Sequence, residues 1–321
     1  MQLAVLNPGG HDPEQSFLDG AGAPDPRIHS PVNYHAYAAC TRGAFFRDAK
    51  RIPDEMRAVL ILLRTDLKTA ISAVKSLRAQ GRVVAISCKE SGQHQIAKQL
   101  DSAAHVAMFR ELCALADGAL SSTPELVQLY RAAGAKLTEF IPTPYPVDDA
   151  RWDFSRPLAE RSGIFIGTRE WNVPSRNHAA ALLRACSLGV PVTVFNHDGR
   201  AGRKKLDALG CASLCVIESK LPYPDYLREM AKCRVVFQLD ASAVPGQVAG
   251  DALLCRMPCI GGNGAVDQVA FSRNANLESL LRDDAAWHDA IETSQARARE
   301  SLSFSAGAAR LREFFSTLAA A

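Results

Sequence analysis

Two segments of this sequence carry residue types suited to holding a phosphorylated ligand. The first is Gly167-Thr168-Arg169-Glu170-Trp171-Asn172-Val173-Pro174-Ser175-Arg176-Asn177-His178. It follows the apolar run Gly163–Ile166 and opens a helical pattern over about 175–188 that Gly189 ends. Arg169 and Arg176 flank that helix start, and Ser175 is placed to cap it. Arginine forks together with helix N–H groups suit a phosphate. A solvated loop with surface arginines stays open as the plainer reading.

The second segment, Asp240-Ala241-Ser242-Ala243-Val244-Pro245-Gly246-Gln247-Val248-Ala249-Gly250-Asp251, runs from a buried strand into a helix. Its small residues let a ligand approach the backbone. A helix that starts near Gly246 or Gln247, just past Pro245, offers its first free N–H groups to a diphosphate. Asp251, about a turn further in, can then accept from both hydroxyls of a ribose. That division of labour suits a nucleotide sugar; without a ligand, Asp251 is only a favourable first-turn carboxylate. Gly261-Gly262-Asn263-Gly264 ends another core strand and offers backbone groups, with Asn263, to a base or sugar, or forms a plain turn.

The elements that must position these segments alternate. Leu3–Leu6, Ala58–Leu63, Val83–Ser87, Gly118–Ser121 and Thr138–Ile141 read as strands, separated by amphipathic stretches such as Leu67–Gln80 and His94–Leu100. A proline-rich stretch from Pro142 to Pro157 has no helical or alternating pattern and reads as a semi-rigid linker. The alternation restarts with strands at Gly163–Ile166, Val192–Phe195, Ser213–Ile217, Val235–Leu239 and Cys259–Ile260, which makes a second parallel sheet. From Asp283 the chain is helical in composition, with Leu311, Phe314, Phe315 and Leu318 spaced for one apolar face. The 321 residues exceed what one core comfortably organises.

Composition narrows the class. A hydrophobic fraction of 47% against 22% charged residues excludes disordered, collagenous and disulfide-miniprotein classes. The +3 net charge is too weak to imply nucleic-acid binding and permits anionic ligands. Nine cysteines, mostly in apolar stretches, read as reduced core thiols, and no zinc spacing is present. The amino terminus shows no signal-peptide pattern and no apolar run approaches the ~20 residues that span a bilayer, so the expected address is the cytoplasm. The basic run Arg200, Arg203, Lys204 and Lys205 reads as a solvated face, with a diphosphate or membrane-surface role as the alternative.

Gly163 to about Phe271 resembles the donor domain of GT-B glycosyltransferases, above all the retaining group with a Glu-x7-Glu segment. Gly167, Arg169 and Arg176 resemble that group's diphosphate loop, and Asp251-Ala252-Leu253-Leu254-Cys255-Arg256-Met257-Pro258-Cys259-Ile260 resembles its Glu-Ala-Met-Ala-x-Gly-x-Pro-Val-Ile continuation. The second Glu of the motif is Asp251 here, and the first falls on Ala243. Residues 117–149 resemble the end of the family's acceptor domain.

The resemblance implies an α/β fold of two Rossmann-like domains facing across a cleft: an acceptor domain over 1–150, a donor domain over 151–305, and a C-terminal helix over 306–321 that packs back on the first. It implies transfer of a sugar from a nucleoside diphosphate donor to a glycan, lipid-linked or protein acceptor, with no metal and no cofactor. Nucleic acid is not an expected partner; peripheral contact with the inner face of the membrane is compatible with a lipid-linked acceptor. Should the reaction invert the sugar, Glu90 or His94, in the loop Lys89-Glu90-Ser91-Gly92-Gln93-His94, is placed to act as general base. The resemblance puts Asn7-Pro8-Gly9-Gly10 where the fold's first loop approaches the donor; His29 and His35 sit in a polar amino-terminal loop, within reach of an acceptor, and have no spacing that singles them out. Two other readings stay open: the missing carboxylate at Ala243 suits a non-catalytic nucleotide-sugar-binding protein, and a sugar-nucleotide epimerase shares the fold but would need acidic and His residues lining the cleft.

Overall fold

The apolar runs are strands of parallel sheets, whose two covered faces demand continuous rather than alternating hydrophobicity. The structure, a computed structural model, describes residues 1–167 and 170–321. The chain forms two units. Unit 1 comprises Met1–Ala23, His29–Asp148 and Leu302–Ala321, and unit 2 comprises Pro24–Ile28 and Asp149–Ser301. The return to unit 1 thus begins at Leu302, ahead of the expected 306, and the sequence pattern gives no sign that Pro24–Ile28 belongs with unit 2.

In chain order unit 1 contains β1 (Leu3–Leu6), β2 (Gln15–Ser16), α1 (Tyr34–Cys40), β3 (Ala44–Phe46), β4 (Ala58–Leu63), α2 (Leu67–Ala79), β5 (Val83–Cys88), α3 (Gln93–Gln99), α4 (Ala103–Leu115), β6 (Gly118–Ser121), α5 (Val127–Ala132) and β7 (Thr138–Phe140). The sheet order is β2-β3-β1-β4-β5-β6-β7, parallel except for β2 against β3. The chain leaves β1 toward β3 and then crosses to build the other side from β4. The switch point therefore lies between β1 and β4, where the carboxyl ends of strands offer a crevice.

Unit 2 contains β8 (Ile164–Ile166), α6 (His178–Cys186), β9 (Val192–Phe195), α7 (Gly199–Ala208), β10 (Leu214–Ile217), α8 (Tyr223–Met230), β11 (Val235–Phe237), α9 (Gln247–Leu254), β12 (Cys259–Ile260), α10 (Ala265–Ala270), α11 (Leu277–Arg282) and α12 (Asp284–Ser301). Its sheet runs β10-β9-β8-β11-β12, all parallel, with the switch point between β8 and β11. Those strands feed the two segments singled out for a phosphorylated ligand.

The last helix, α13 (Phe304–Ala320), packs on unit 1. Side chains alternate across the strands, so Val5, Leu60 and Ala85 face α1 and α13 while Ala4, Ile61 and Ile86 face α2 and α4. Leu311, Phe314, Phe315 and Leu318 are buried on the first of these faces. Each such side chain contributes about 1.5–3 kcal/mol.

Two local expectations are corrected. Ser175 does not cap a helix: Pro174 opens a short 3-10 turn over Pro174–Arg176, Asn177 takes a left-handed φ of 52°, and α6 begins only at His178. Nor are all nine cysteines reduced core thiols. Cys186 at the end of α6 and Cys211 after α7 form a disulfide with Cα atoms 5.9 Å apart, and Cys215 is exposed.

Candidate functional site

At the switch point of unit 2 the loop after β8 and the loop after β11 are laced together. Ala241 N–H donates to Ser175 O at 2.8 Å, Asn177 Nδ2 to Leu239 O at 2.9 Å, and the Ser175 and Ser242 hydroxyls lie 2.8 Å apart. Arg176 completes the tie. Its guanidinium pairs with Asp240 at 2.5 Å and with Glu170 at 2.5 Å. Burial pushes the Arg176 pKa down, but the flanking Asp240 and Glu170 carboxylates outweigh it and hold the group above its ordinary value. Asp240, 5% exposed, also accepts from Ser242 N–H at 2.7 Å. The guanidinium expected to meet a phosphate is thus engaged by two carboxylates. Asp240 and Glu170 lie inside the two segments, yet no local pattern pairs either with an arginine.

Gly167 follows β8 directly and lies against the ring of His178, and a Cβ there would collide with the imidazole. Arg169, expected to share the diphosphate, lies outside the described residues. Trp171 is buried in the unit 2 core rather than displayed. Lys205, from the basic run on α7, donates to Trp171 O at 3.0 Å and anchors this loop, whereas Arg203 pairs with Asp207 and Glu218.

The helix start proposed for the second segment is where the sequence placed it. Gly246 is the N-cap of α9, with a φ of 88° that only glycine adopts without strain, and Gln247 is the first helical residue. Pro245 O accepts from Val266 N–H at 3.1 Å. Asn263 Oδ1 accepts from Ala243 N–H at 3.0 Å, which fixes the Ala243 backbone at a φ of 49°. Arg256 stands where the family pattern has glycine, and its φ of 45° is the left-handed conformation that glycine would serve.

Asp251 is 1% exposed, and its carboxylate accepts from the hydroxyls of Tyr223 and, at 3.1 Å, Tyr226. These tyrosines tie α8 to α9 and were not visible as partners in the sequence. Asp267, in the first turn of α10, was missed altogether. It packs beneath Gly246 and Gly264, and burial, opposed by a Cys259 hydrogen bond and reinforced by Asp240, pushes its carboxyl up to about 7.

The carboxyl edge of unit 1 holds a different set. Asn7, at the end of β1, donates to Asp12 Oδ2 at 2.7 Å, and Lys89 Nζ lies 3.1 Å from the same oxygen. Burial raises the Asp12 carboxyl, but Lys89 beside it outweighs burial and holds it below the ordinary carboxylate range. The His29 and His35 rings meet at a tilt with centroids 4.1 Å apart, and His35 Nε2 lies 2.8 Å from Pro13 O. Burial, with His29 beside it, pushes His35 down to about 3, and burial also lowers His29. The Tyr34 hydroxyl donates to Cys88 O at 2.6 Å and touches Ser87 and Ser122, while Ser91 and Ser122 meet at 2.8 Å. Of the two candidate bases, Glu90 is exposed and accepts from Gln95 Nε2 at 2.9 Å. His94 is half-buried, and its Nδ1 has no hydrogen-bond partner among the described residues.

Among the described residues no three His, Cys, Asp or Glu side chains converge as a metal set, and no helix is long and apolar enough to cross a membrane. No family model matches the sequence, and no curated protein matches it. Solved structures do match its fold. HepE from Anabaena, in complex with UDP and glucose, is 15% identical with a TM-score of 0.56 over 80% of this chain and 77% of its own. A trehalose 6-phosphate synthase from Burkholderia multivorans is 12% identical with a TM-score of 0.60, over 90% and 76%. An alpha-glucosyltransferase in complex with UDP-glucose and DNA is 8% identical with a TM-score of 0.62, over 98% and 99%. At such identities likeness speaks for architecture alone, and together with the two parallel sheets it shows that this chain has the GT-B fold of glycosyltransferases.

Proposed function

We propose that this chain is a glycosyltransferase whose unit 2 takes a nucleoside diphosphate sugar and whose unit 1 presents the acceptor. One observation carries the reading: the amino terminus of α9, with Gly246 as its cap, opens at the switch point of the unit 2 sheet, in a fold whose solved examples hold UDP and UDP-glucose. In this reading Gly246 and Gln247 meet the diphosphate, with Gly167 and Pro245 shaping the backbone around it. Arg169 and Arg176 neutralise the leaving group without a metal, the diphosphate displacing Glu170 or Asp240 from Arg176. Asp251 serves the ribose, Asn263 holds the loop beside the sugar, and Glu90 or His94 takes the acceptor proton if the reaction inverts. The acceptor is a glycan, a lipid-linked glycan or a protein. One structure of this fold holds DNA, so the weak charge balance is no argument against a nucleic-acid acceptor.

A cytoplasmic address, with peripheral membrane contact for a lipid-linked acceptor, accords with a nucleotide-sugar donor. The Cys186–Cys211 bridge weighs against it, because disulfides are rare in that compartment. One feature favours a non-catalytic nucleotide-sugar-binding protein instead: Ala243 is buried and fixed by Asn263, with no carboxylate where the family pattern has its first Glu.

The purified protein should be offered UDP-glucose and the other common nucleoside diphosphate sugars. Slow release of the diphosphate with water as acceptor is the expected result. Binding without release supports the non-catalytic reading, and binding of none of them sinks both.

A further inference from the structure

The loops that follow β11 and β12 converge on a carboxyl group that the proposed reaction does not use. Asp267 is 7% exposed in the first turn of α10. A methyl group added at Gly262 would land on its Oδ1; one at Gly264 would sit 2.7 Å, and one at Gly246 3.0 Å, from its Oδ2. Gln238 Nε2 donates to Oδ1 at 3.4 Å, and the Cys259 thiol faces the same oxygen at 3.6 Å. The backbone closes around the group, with Ala265 N–H donating to Val244 O at 2.8 Å and Val266 N–H to Pro245 O at 3.1 Å. The carboxyl therefore lies against Gly246, the cap of α9.

We propose that Asp267 is the positioning residue of the donor loops and couples donor binding to proton uptake: its carboxyl joins the turn at Val244–Gly246 to the turn at Gly261–Gly264, and an arriving diphosphate drives it to the neutral form. The inference rests on the reading of the α9 amino terminus as the diphosphate site. A buried carboxylate is disfavoured by lost solvation, and a second anion beside Gly246 adds like-charge repulsion. Burial already pushes the carboxyl up to about 7, so a further push takes up a proton at ordinary pH. Among the described residues, the other titratable groups facing this region are Asp240 with its partner Arg176, Cys259 of β12 and Asp251 of α9. The buried residues of α12, which packs on α10, are Trp287, Ile291, Ser294, Gln295 and Ala298, none of which titrates.

UDP-glucose is the probe, because its diphosphate does not titrate between pH 6 and 8.5. Calorimetry in buffers of low and high ionisation enthalpy should show fractional proton uptake near pH 7.5. Affinity should weaken about fivefold from pH 6 to pH 8.5, the size expected for like charges ~8 Å apart at an effective dielectric of ~40. Both effects should vanish in Asp267→Asn. Uptake of the same size in that variant places the proton elsewhere and overturns the proposal. If the variant does not fold, the wild type decides: binding with flat affinity and no uptake overturns the role of Asp267, while binding at no pH overturns the donor reading itself and this inference with it.

Discussion

At the switch point of unit 1 the strand ends are lined by hydroxyls and imidazoles held neutral, with one carboxylate matched to Lys89. At the switch point of unit 2 they are lined by Asp240 and Glu170 around Arg176, by Asp251 under two tyrosines, and by Asp267. Both edges follow from the same sheet topology, so topology provides the crevice and side chains decide its chemistry. A neutral edge suits an uncharged acceptor hydroxyl, whereas a charged edge preorganised around a guanidinium suits an ionic leaving group. The contrast also sets opposite responses to pH, because unit 1 buries a base and unit 2 buries an acid.

The largest expected effect separates the units as folding bodies. Phe314, 1% exposed on α13, belongs to the unit 1 core. Phe314→Ala should destabilise unit 1 by about 3–5 kcal/mol. Hydrogen exchange should show lost protection in β1, β4 and β5 while β8 and β11 are unchanged; equal loss in both would mean the units unfold as one.

Arg176→Ala should act on unit 2 alone. It leaves Asp240 buried without its cation, at a cost of about 2–3 kcal/mol, below the range for fully buried pairs because Glu170 is partly exposed. The sequence suggested a ligand-binding arginine; the ion pairs add a structural role and predict a lower Tm of the ligand-free protein, recovered in part by adding Asp240→Asn. An unchanged Tm in the single variant would return Arg176 to a purely ligand-binding role.

The pH contrast has definite signs. His35, lowered to about 3 from an unfolded value near 6.5, contributes stability that is present above pH 6.5 and is lost as pH falls toward 3. Asp267, raised to about 7 from an unfolded value near 3.9, contributes stability that is present below pH 4 and is lost as pH rises through 7. Acid should therefore weaken unit 1, and a rise from pH 5 to pH 8 should weaken unit 2. His35→Phe should flatten the first response and Asp267→Asn the second, as read from hydrogen exchange in each sheet. Responses of the same sign in both units would contradict the assignment.

Much of this architecture was legible because parallel strands are continuous apolar runs and glycine marks their exits. The strands of unit 2, the start of α9 and the burial of Leu311, Phe314, Phe315 and Leu318 all follow from local pattern. The helix α1 was not legible: Tyr-His-Ala-Tyr-Ala-Ala-Cys spans two turns and has no side-chain cap, since Asn33 lies at a φ of 51°. Ser175 misled because Pro174 and the left-handed Asn177 intervene before α6. Within the site, Arg176 and Asp240 are 64 residues apart, and Asp267 reaches Gly246 only because α9 and α10 follow adjacent strands. Spacing names the loops, but which charges meet across them is decided by strand order.

The smallest expected effect concerns Asp251, which the sequence offers to a ribose and the structure shows accepting from two tyrosines. A carboxylate oxygen has two lone pairs, so a ribose hydroxyl can share an oxygen with a tyrosine if the half-exposed Tyr223 shifts. Wild type should then prefer UDP-glucose over its 2′-deoxyribose analogue, and Asp251→Asn should shrink that preference by about 1 kcal/mol, the worth of one ordinary hydrogen bond. Tyr223→Phe separates the two ways of meeting the sugar. If the carboxylate is the acceptor, removing the competing hydroxyl keeps the preference or increases it. If the Tyr223 hydroxyl itself meets the ribose, Tyr223→Phe abolishes the preference, and Asp251 serves only to hold the tyrosine.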